Sequence, residues 1–277
     1  MRAIGKVIFI WLCFVMVSFP VFSHGEIYVE GYLGGLTASS GEMSFSTATT
    51  VVTVPPRAWI KHTMPGHTDS PFLVGGVKVG TWLEKDSWLD RSGLLDCSNK
   101  TWLENFGVYL DFSYHKLDFE EQRVVSVDDL GGRAGGLFKS DGDVFTLALM
   151  FSGRLGFMKD SEVPFGRLQP YLGLGPALLI TSQKPGMIID TTGVMGGPFH
   201  ASQNREYDVA PGFQVEPGIR WIFGKNLSLD ISFKYRFAEP DFDYHFNPKH
   251  FVAAPGTMSL SPDYNLSSGQ VGLAYHF

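Results

Sequence analysis

The chain has 277 residues, a formal charge of −6, 32 glycines and 14% aromatic residues. It carries no basic patch, which excludes nucleic acid as a partner, and no apolar run after Phe22 is long enough for a spanning helix. Of its two cysteines, Cys13 lies in the N-terminal apolar run, so Cys97 has no internal partner and no disulfide framework holds the fold.

Residues 1–23 read as a secretory signal. Arg2 and Lys6 form a positive start, Val7 to Phe19 is a continuous apolar stretch, and Val21 and Ser23 are the short residues before a cleavage site. The alternative, an N-terminal membrane anchor, needs a longer apolar run. Loss of Arg2 and Lys6, two positive charges, moves the formal charge from −6 to −8. Residues 24–277 then form one exported domain.

That domain is predicted to be all-β, because apolar and polar residues alternate with a period of two. The first strand covers about Glu26 to Leu36, with Ile27, Val29 and Leu33 on one face and Glu26, Tyr28, Glu30 and Tyr32 on the other. Residues 37–70 are a long segment rich in Ser, Thr, Pro and His, read as an exposed loop. Val51 to Val54 could extend a strand beyond the membrane. The second strand is Pro71 to Glu84, with Lys78, Gly76 and Gly80 on its polar face. Residues 84–101 form a charged, Trp-containing connection with no strand pattern. The third strand is about Leu103 to Lys116, its polar face carrying Asp111, Ser113 and His115. A glycine-rich charged loop, 117–142, follows.

The fourth strand is Asp143 to Met158, with Thr146, Ser152 and Arg154 inward. The fifth, Leu168 to Thr181, contains Pro170 and Pro176, which a paired strand tolerates poorly. After a Gly/Ser/Thr loop, 182–206, the sixth strand runs from about Tyr207 to Phe223, with Gln214, Glu216, Gly218 and Arg220 on one side. The tight turn Gly224-Lys225 leads to the seventh, Asn226 to Phe237. This strand alternates most cleanly: Leu227, Leu229, Ile231, Phe233, Tyr235 and Phe237 against Ser228, Asp230, Ser232, Lys234 and Arg236. Residues 239–265 are a loop, and Leu266 to Phe277 is the eighth strand.

A strand of about 9–11 residues, apolar outside and polar inside, is one stave of a transmembrane barrel. The predicted fold is therefore an eight-stranded antiparallel transmembrane β-barrel, an up-and-down meander. The loops 37–70, 117–142, 182–206 and 239–265 are extracellular if both termini are periplasmic. The connection 84–101 is then periplasmic and unusually long. Aromatic residues fall at the strand ends. Trp82, Trp102, Phe157, Tyr171, Trp221, Phe223 and Phe277 form one expected interface girdle, and Tyr32, Phe72, Tyr114, Phe145, Tyr207 and Phe237 the other.

The last strand, GQVGLAYHF, ends on Phe277 with Tyr275 and Leu273 at alternate positions, which resembles the terminal signal of outer-membrane barrels. GIRWIFGKNLSLDISFKYRF resembles the late hairpin of small OmpA-like and opacity-type barrels, and LQPYLGLGPALL resembles their fifth strand. The resemblance implies a location in the cell outer membrane, contact with its lipids and lipopolysaccharide, and recognition of the C-terminal strand by the barrel assembly machinery. No peptidoglycan-binding domain follows the barrel, so the cell-wall tethering role of some relatives is not implied.

Inward positions collect Glu30, Lys78, Asp111, Arg154, Glu216, Arg220, Asp230, Lys234 and Arg236. The interior of an eight-stranded barrel is just wide enough for side chains to fill, so these charges must pair. They are expected to form a structural plug, or a gated narrow pore in which Arg154, Arg220, Glu216 and Glu30 exchange partners. The function expected is that of a non-enzymatic surface protein whose barrel anchors outer loops for adhesion or ligand contact. Alternatives are a narrow channel or a carrier of small hydrophobic compounds, and a lipid A-modifying hydrolase. For the last, His200-Ala201-Ser202 has the His-x-Ser spacing of outer-membrane deacylases, with Glu206 and Glu216 downstream. A soluble lipocalin-like barrel would need the opposite placement of its apolar side chains. The pairs His62/His67 and His245/His250 lack the further ligands of a metal site, and no cofactor motif is present.

Overall fold

The computed structural model describes residues 26–39, 43–51, 57–68, 70–83, 104–128, 133–190, 198–202, 204–246 and 256–277. The expectations for the signal at 1–23, the connection 84–101 with Cys97, and Trp102 lie outside these residues.

Eight strands close the barrel. In chain order they are β1 (Ile27–Ser39), β4 (Phe72–Trp82), β5 (Phe106–Lys116), β7 (Arg133–Arg154), β8 (Leu168–Asp190), β10 (Glu206–Ile222), β11 (Leu227–Ala238) and β14 (Tyr264–His276). Each pairs antiparallel with the next, and β1 pairs with β14, so the sheet has no edge at this level. The closing register sets Glu30 opposite Ala274 on one side and Lys78 on the other.

The segments read as loops contain six further strands: β2 (Met43–Val51), β3 (Arg57–Met64), β6 (Phe119–Asp128), β9 (Pro198–Ser202), β12 (Phe242–Phe246) and β13 (Gly256–Leu260). β7 and β8 have 22 and 23 residues, about twice what a membrane crossing needs. Their upper halves stay paired beyond the other staves, from Asp141↔Lys184 to Gly136↔Ile189. β9 adds to β8, and β6, β3, β2, β13 and β12 add in that order to β7. This second tier corrects the reading of 37–70, 117–142, 182–206 and 239–265 as loops. Its interior is mainly apolar: Leu117, Phe119, Phe138, Phe242 and Tyr244 are buried there with Met64 and Tyr264, beside the hydrogen-bonded polar group Ser140, Gln183 and Tyr264.

The prolines are accommodated without a register change. The β7–β8 pairs stop at Ala148↔Ala177 and resume at Phe151↔Leu174, bracketing Pro176. The β10–β11 pairs stop at Val215↔Tyr235 and resume at Gly218↔Ser232, bracketing Pro217. Each proline lacks the N–H a ladder uses, and the cost is one local lapse.

At the end opposite the second tier, residues 223–226 join β10 to β11 and residues 155–167 join β7 to β8. The turn between β7 and β8 is tied by Asp160, whose carboxylate accepts from the backbone N–H of Glu162 and Val163 and contacts Arg167. Arg167's hydrogen bond, the largest influence, holds this exposed carboxyl below its ordinary value of 3.8. The tie is therefore present above that pH and lost on acidification through the lowered value.

The faces are distributed inside out relative to a soluble protein. Leu229, Ile231, Phe233, Tyr235 and Phe237 of β11 point outward and are exposed, as are Val271, Leu273 and Tyr275 of β14. Asp230, Ser232, Lys234 and Arg236 between them are buried. Exposed aliphatic and aromatic side chains recur on every stave, from Leu33 and Val77 to Phe112, Phe145, Leu174 and Ile219. Such a continuous apolar girdle around an ionised interior is a lipid-facing surface.

Candidate functional site: an ion lattice in the lumen

All nine inward charged residues named from the sequence are buried; eight of them meet in one lattice, and Arg154 lies in a separate layer. At the centre, Lys78 Nζ lies 2.6 Å from Glu30 Oε1, 2.6 Å from Glu216 Oε1 and 3.6 Å from Asp230 Oδ1. Arg220 joins the same carboxylates from the β10 wall, at 2.6 Å to Glu30 and 3.3 Å to Asp230. One layer towards the second tier, Lys234 Nζ is 2.7 Å from Asp111 Oδ2 and 3.7 Å from Glu216 Oε2. Arg236 Nη2 is 3.5 Å from the same Asp111 oxygen. These residues come from β1, β4, β5, β10 and β11, so the lattice ties the wall together across the lumen.

Four tyrosines complete it. Tyr32 donates to Asp111 Oδ1 at 2.6 Å, and Tyr109 to Glu216 Oε2 at 2.9 Å. Tyr171 stands within reach of both Glu216 and Asp230, at 3.0 and 2.8 Å. Tyr28 lies under the Arg220 guanidinium, 4.2 Å from ring centroid to Cζ. Sequence reasoning did not single these tyrosines out as lumen ligands, although their parity along each strand matches that of the charges.

Glycines on neighbouring staves make room for the rings. A Cβ on Gly218 would sit 2.5 Å from Tyr171 Cζ, and one on Gly173 would sit 2.5 Å from the Tyr109 hydroxyl. Gly218→Ala therefore pushes Tyr171 off its carboxylates. The expected loss is about 1–3 kcal/mol, read as a lower urea midpoint for refolding into lipid vesicles.

A second layer closes the turn end. Arg154 pairs with Glu26 at 3.0 Å, donates to Gln169 at 3.0 Å, and is sandwiched 4.0 and 4.1 Å from the ring centroids of Trp82 and Phe165. Glu26 also faces His276 Nδ1 at 2.7 Å, and His276 Nε2 lies 2.8 Å from Ser228 Oγ. This order matches a nucleophile, base and acid. Ser228 is fully buried, however, and no substrate carbonyl reaches its Oγ in this arrangement. The chain of contacts joins β11, β14 and the start of β1 across the closing seam.

The aromatic expectations divide. Trp221 and Phe277 face outward and are exposed, as are Phe157, Phe223, Tyr114, Phe145, Tyr207 and Phe237. Trp82 is a correction. It is only 2% exposed, points into the lumen and stacks on Tyr28. Tyr32, Phe72 and Tyr171 are also inside. Parity decides this: Trp82 shares a face with Lys78 and Gly80, so its ring packs against Arg154 and not against lipid. Of the hydrolase expectation, Glu216 is committed to Lys78, Tyr109 and Tyr171, while the side chains of His200 and Ser202 lie outside the described residues. Among the described residues no cluster of His, Cys, Asp and Glu could hold a metal.

No family model and no curated protein matches the chain. Solved structures similar to it include the outer membrane protein OprG of Pseudomonas aeruginosa, with 12% identity, 92% of this chain and 97% of that one covered, and a TM-score of 0.46. Ail, the attachment invasion locus protein of Yersinia pestis, is similar at 12% identity over 91% of this chain and 99% of that one, with a TM-score of 0.41. Neisserial surface protein A is similar at 10% identity over 91% and 97%, with a TM-score of 0.36. The assignment rests on this chain's own closed strand order, its apolar outer girdle and its ion-filled lumen. With grease outside and paired charges inside, the chain is a small eight-stranded antiparallel β-barrel of the outer membrane.

Proposed function

We propose that this barrel is a non-enzymatic anchor that displays its second tier for adhesion or ligand contact at the cell surface. One observation carries the reading. The lumen is occupied level by level, first by the Arg154 layer, then by the Lys78 and Asp111 lattice, then by the apolar interior that includes Leu36, Val74 and Val144. A filled lumen suits a rigid post better than a conduit. The long β7–β8 ribbon continues the wall outward and gives the tier a stiff support.

Planar-bilayer recording tests it. The wild-type barrel is expected to be silent, and Glu216→Ala is expected to be silent as well, since Tyr109, Tyr171 and Arg220 still block the bore. Stepwise conductance from the wild type would favour the channel reading instead. The exposed face of the second tier, including Glu120, Glu121 and Arg123 of β6, is expected to be open to surface labelling on intact cells. Labelling only after the outer membrane is broken would contradict the display role.

A further inference from the structure

The second tier is the lower barrel carried upward. After a break between Ala238↔Tyr264 and Phe242↔Leu260, the β11–β14 ladder resumes as β12–β13 in the same register. Lys116↔Asp143 of β5–β7 continues likewise as Phe119↔Ser140 of β6–β7. The ladders β1–β14, β1–β4, β4–β5 and β8–β10 continue, each after a slip of one residue, as β2–β13, β2–β3, β3–β6 and β8–β9. β7–β8 runs through both tiers. Among the described residues the tier is therefore paired at every interface of the barrel but one.

The exception is β10–β11, whose uppermost pair is Gly212↔Ala238. Carried on, that register would set Ala210 opposite Pro240 and Asp208 opposite Phe242. Pro211 and Pro240 have no N–H to give at this fork, and the Asp208 carboxylate accepts from the Asp241 N–H at 2.8 Å. Among the described residues no backbone hydrogen bond joins 206–211 to 239–246. The two ends of the fourteen-stranded sheet, β9 and β12, both border this seam, because β9 continues β10 along β8. Unpaired edges of this kind are templates for a further strand.

The seam is also one-signed. Residues 206–211, 239–246 and 256–263 carry Glu206, Asp208, Glu239, Asp241, Asp243 and Asp263 and no lysine or arginine. Glu239, Asp241 and Asp263 are exposed, and Glu206, Asp208 and Asp243 are half-buried.

We propose that this seam is a docking edge for an extended basic segment of a partner protein, which adds as a strand antiparallel to β12. The backbone of β12 supplies the ladder. Lysine or arginine at the outward positions of the added strand faces Asp241 and Asp243, and β-branched residues between them keep the parity of Phe242 and Tyr244. Pro211, Pro240 and Asp208 stop the tier from zipping onto itself, which keeps the edge available. The docking edge deepens the display reading and rests on it, since the partner reaches the seam from outside the cell; peptide binding by purified barrel and surface labelling of intact cells fail separately.

The test uses the purified full barrel in non-ionic detergent and a fluorescein-labelled, capped peptide of alternating lysine and valine, long enough to cover β12. Fluorescence anisotropy is expected to show saturable binding. The same peptide with every second amide N-methylated should bind about tenfold more weakly or worse, the effect of losing backbone hydrogen bonds of the ladder. A peptide with glutamate in place of lysine should lose at least as much, because like charges then face each other. A photoreactive analogue of valine in the parent peptide should cross-link to 206–211 or 239–246. Equal binding of the parent and N-methylated peptides would mean adsorption by charge alone and would overturn the added strand. Absence of saturable binding, equal binding of the glutamate peptide, or cross-links confined to the lipid-facing girdle would overturn the site. Barrel that sediments as a dimer and excludes the peptide would overturn the basic partner and give the edge to a second copy of the chain.

Discussion

Replacing Asp111 with alanine is expected to cost the folded barrel about 3–5 kcal/mol, because it removes one partner of a fully buried charge set and strands the rest. Asp111 is 0% exposed and is the shared acceptor for Lys234, Arg236, Gln214 and Tyr32. Without it, Lys234 keeps Glu216, at 3.7 Å, as its one carboxylate partner among the described residues, and Arg236 has none. Water cannot easily replace Asp111 at the centre of a filled lumen. Urea-dependent refolding into lipid vesicles, followed by tryptophan fluorescence and gel migration, measures the loss. Asp160→Ala is the matching control, since the Asp160–Arg167 pair is open to solvent and pairs of that kind contribute little. A midpoint for Asp111→Ala as close to wild type as that of the control would mean that the lattice does not hold the wall.

The second large effect lies on the opposite face. Ile231 is mid-strand on β11, opposite Ile219 and Val271, and 58% exposed. On a soluble protein, arginine at so exposed a position would change stability little. On a lipid-facing stave near the membrane centre it costs about 2–4 kcal/mol. Ile231→Arg is therefore expected to lower the refolding midpoint strongly in vesicles. Phe237→Arg, near the end of the same strand, should cost less, because the penalty falls towards the interface. Equal, negligible effects at both positions would place this face in water.

These two faces were legible from alternation alone. On β11 the polar row Ser228, Asp230, Ser232, Lys234 and Arg236 and the apolar row beside it read off without ambiguity, and all eight staves were located. The partners of each charge were not legible. Glu30 meets Arg220 and Asp111 meets Arg236 across the bore, and strand parity says only that a side chain points inward. Ring closure and register then decide which charges meet.

The second tier was hidden for a different reason. In β6 the register against β7 shifts between Phe119 and Gln122, so the inward residues Phe119, Gln122 and Val124 lose the period of two. The upper half of β7 is rich in glycine and charge, and its strand character comes from pairing with β6 and β8, not from local propensity. Trp82 shows the converse error. Ring chemistry and a strand-end position suggested the interface, whereas parity with Lys78 already placed it inside. Where residue type and parity disagree on a short stave, parity decides, because it follows from backbone geometry.

The most direct test of which way the apolar row faces is spin labelling at Leu229 and Ile231, in a Cys97→Ser background, after reconstitution into lipid. Both labels are expected to collide freely with molecular oxygen and to be shielded from a water-soluble nickel chelate. Labels at 229 and 231 that relax readily with nickel would show water where lipid should be, and would contradict the membrane-spanning barrel.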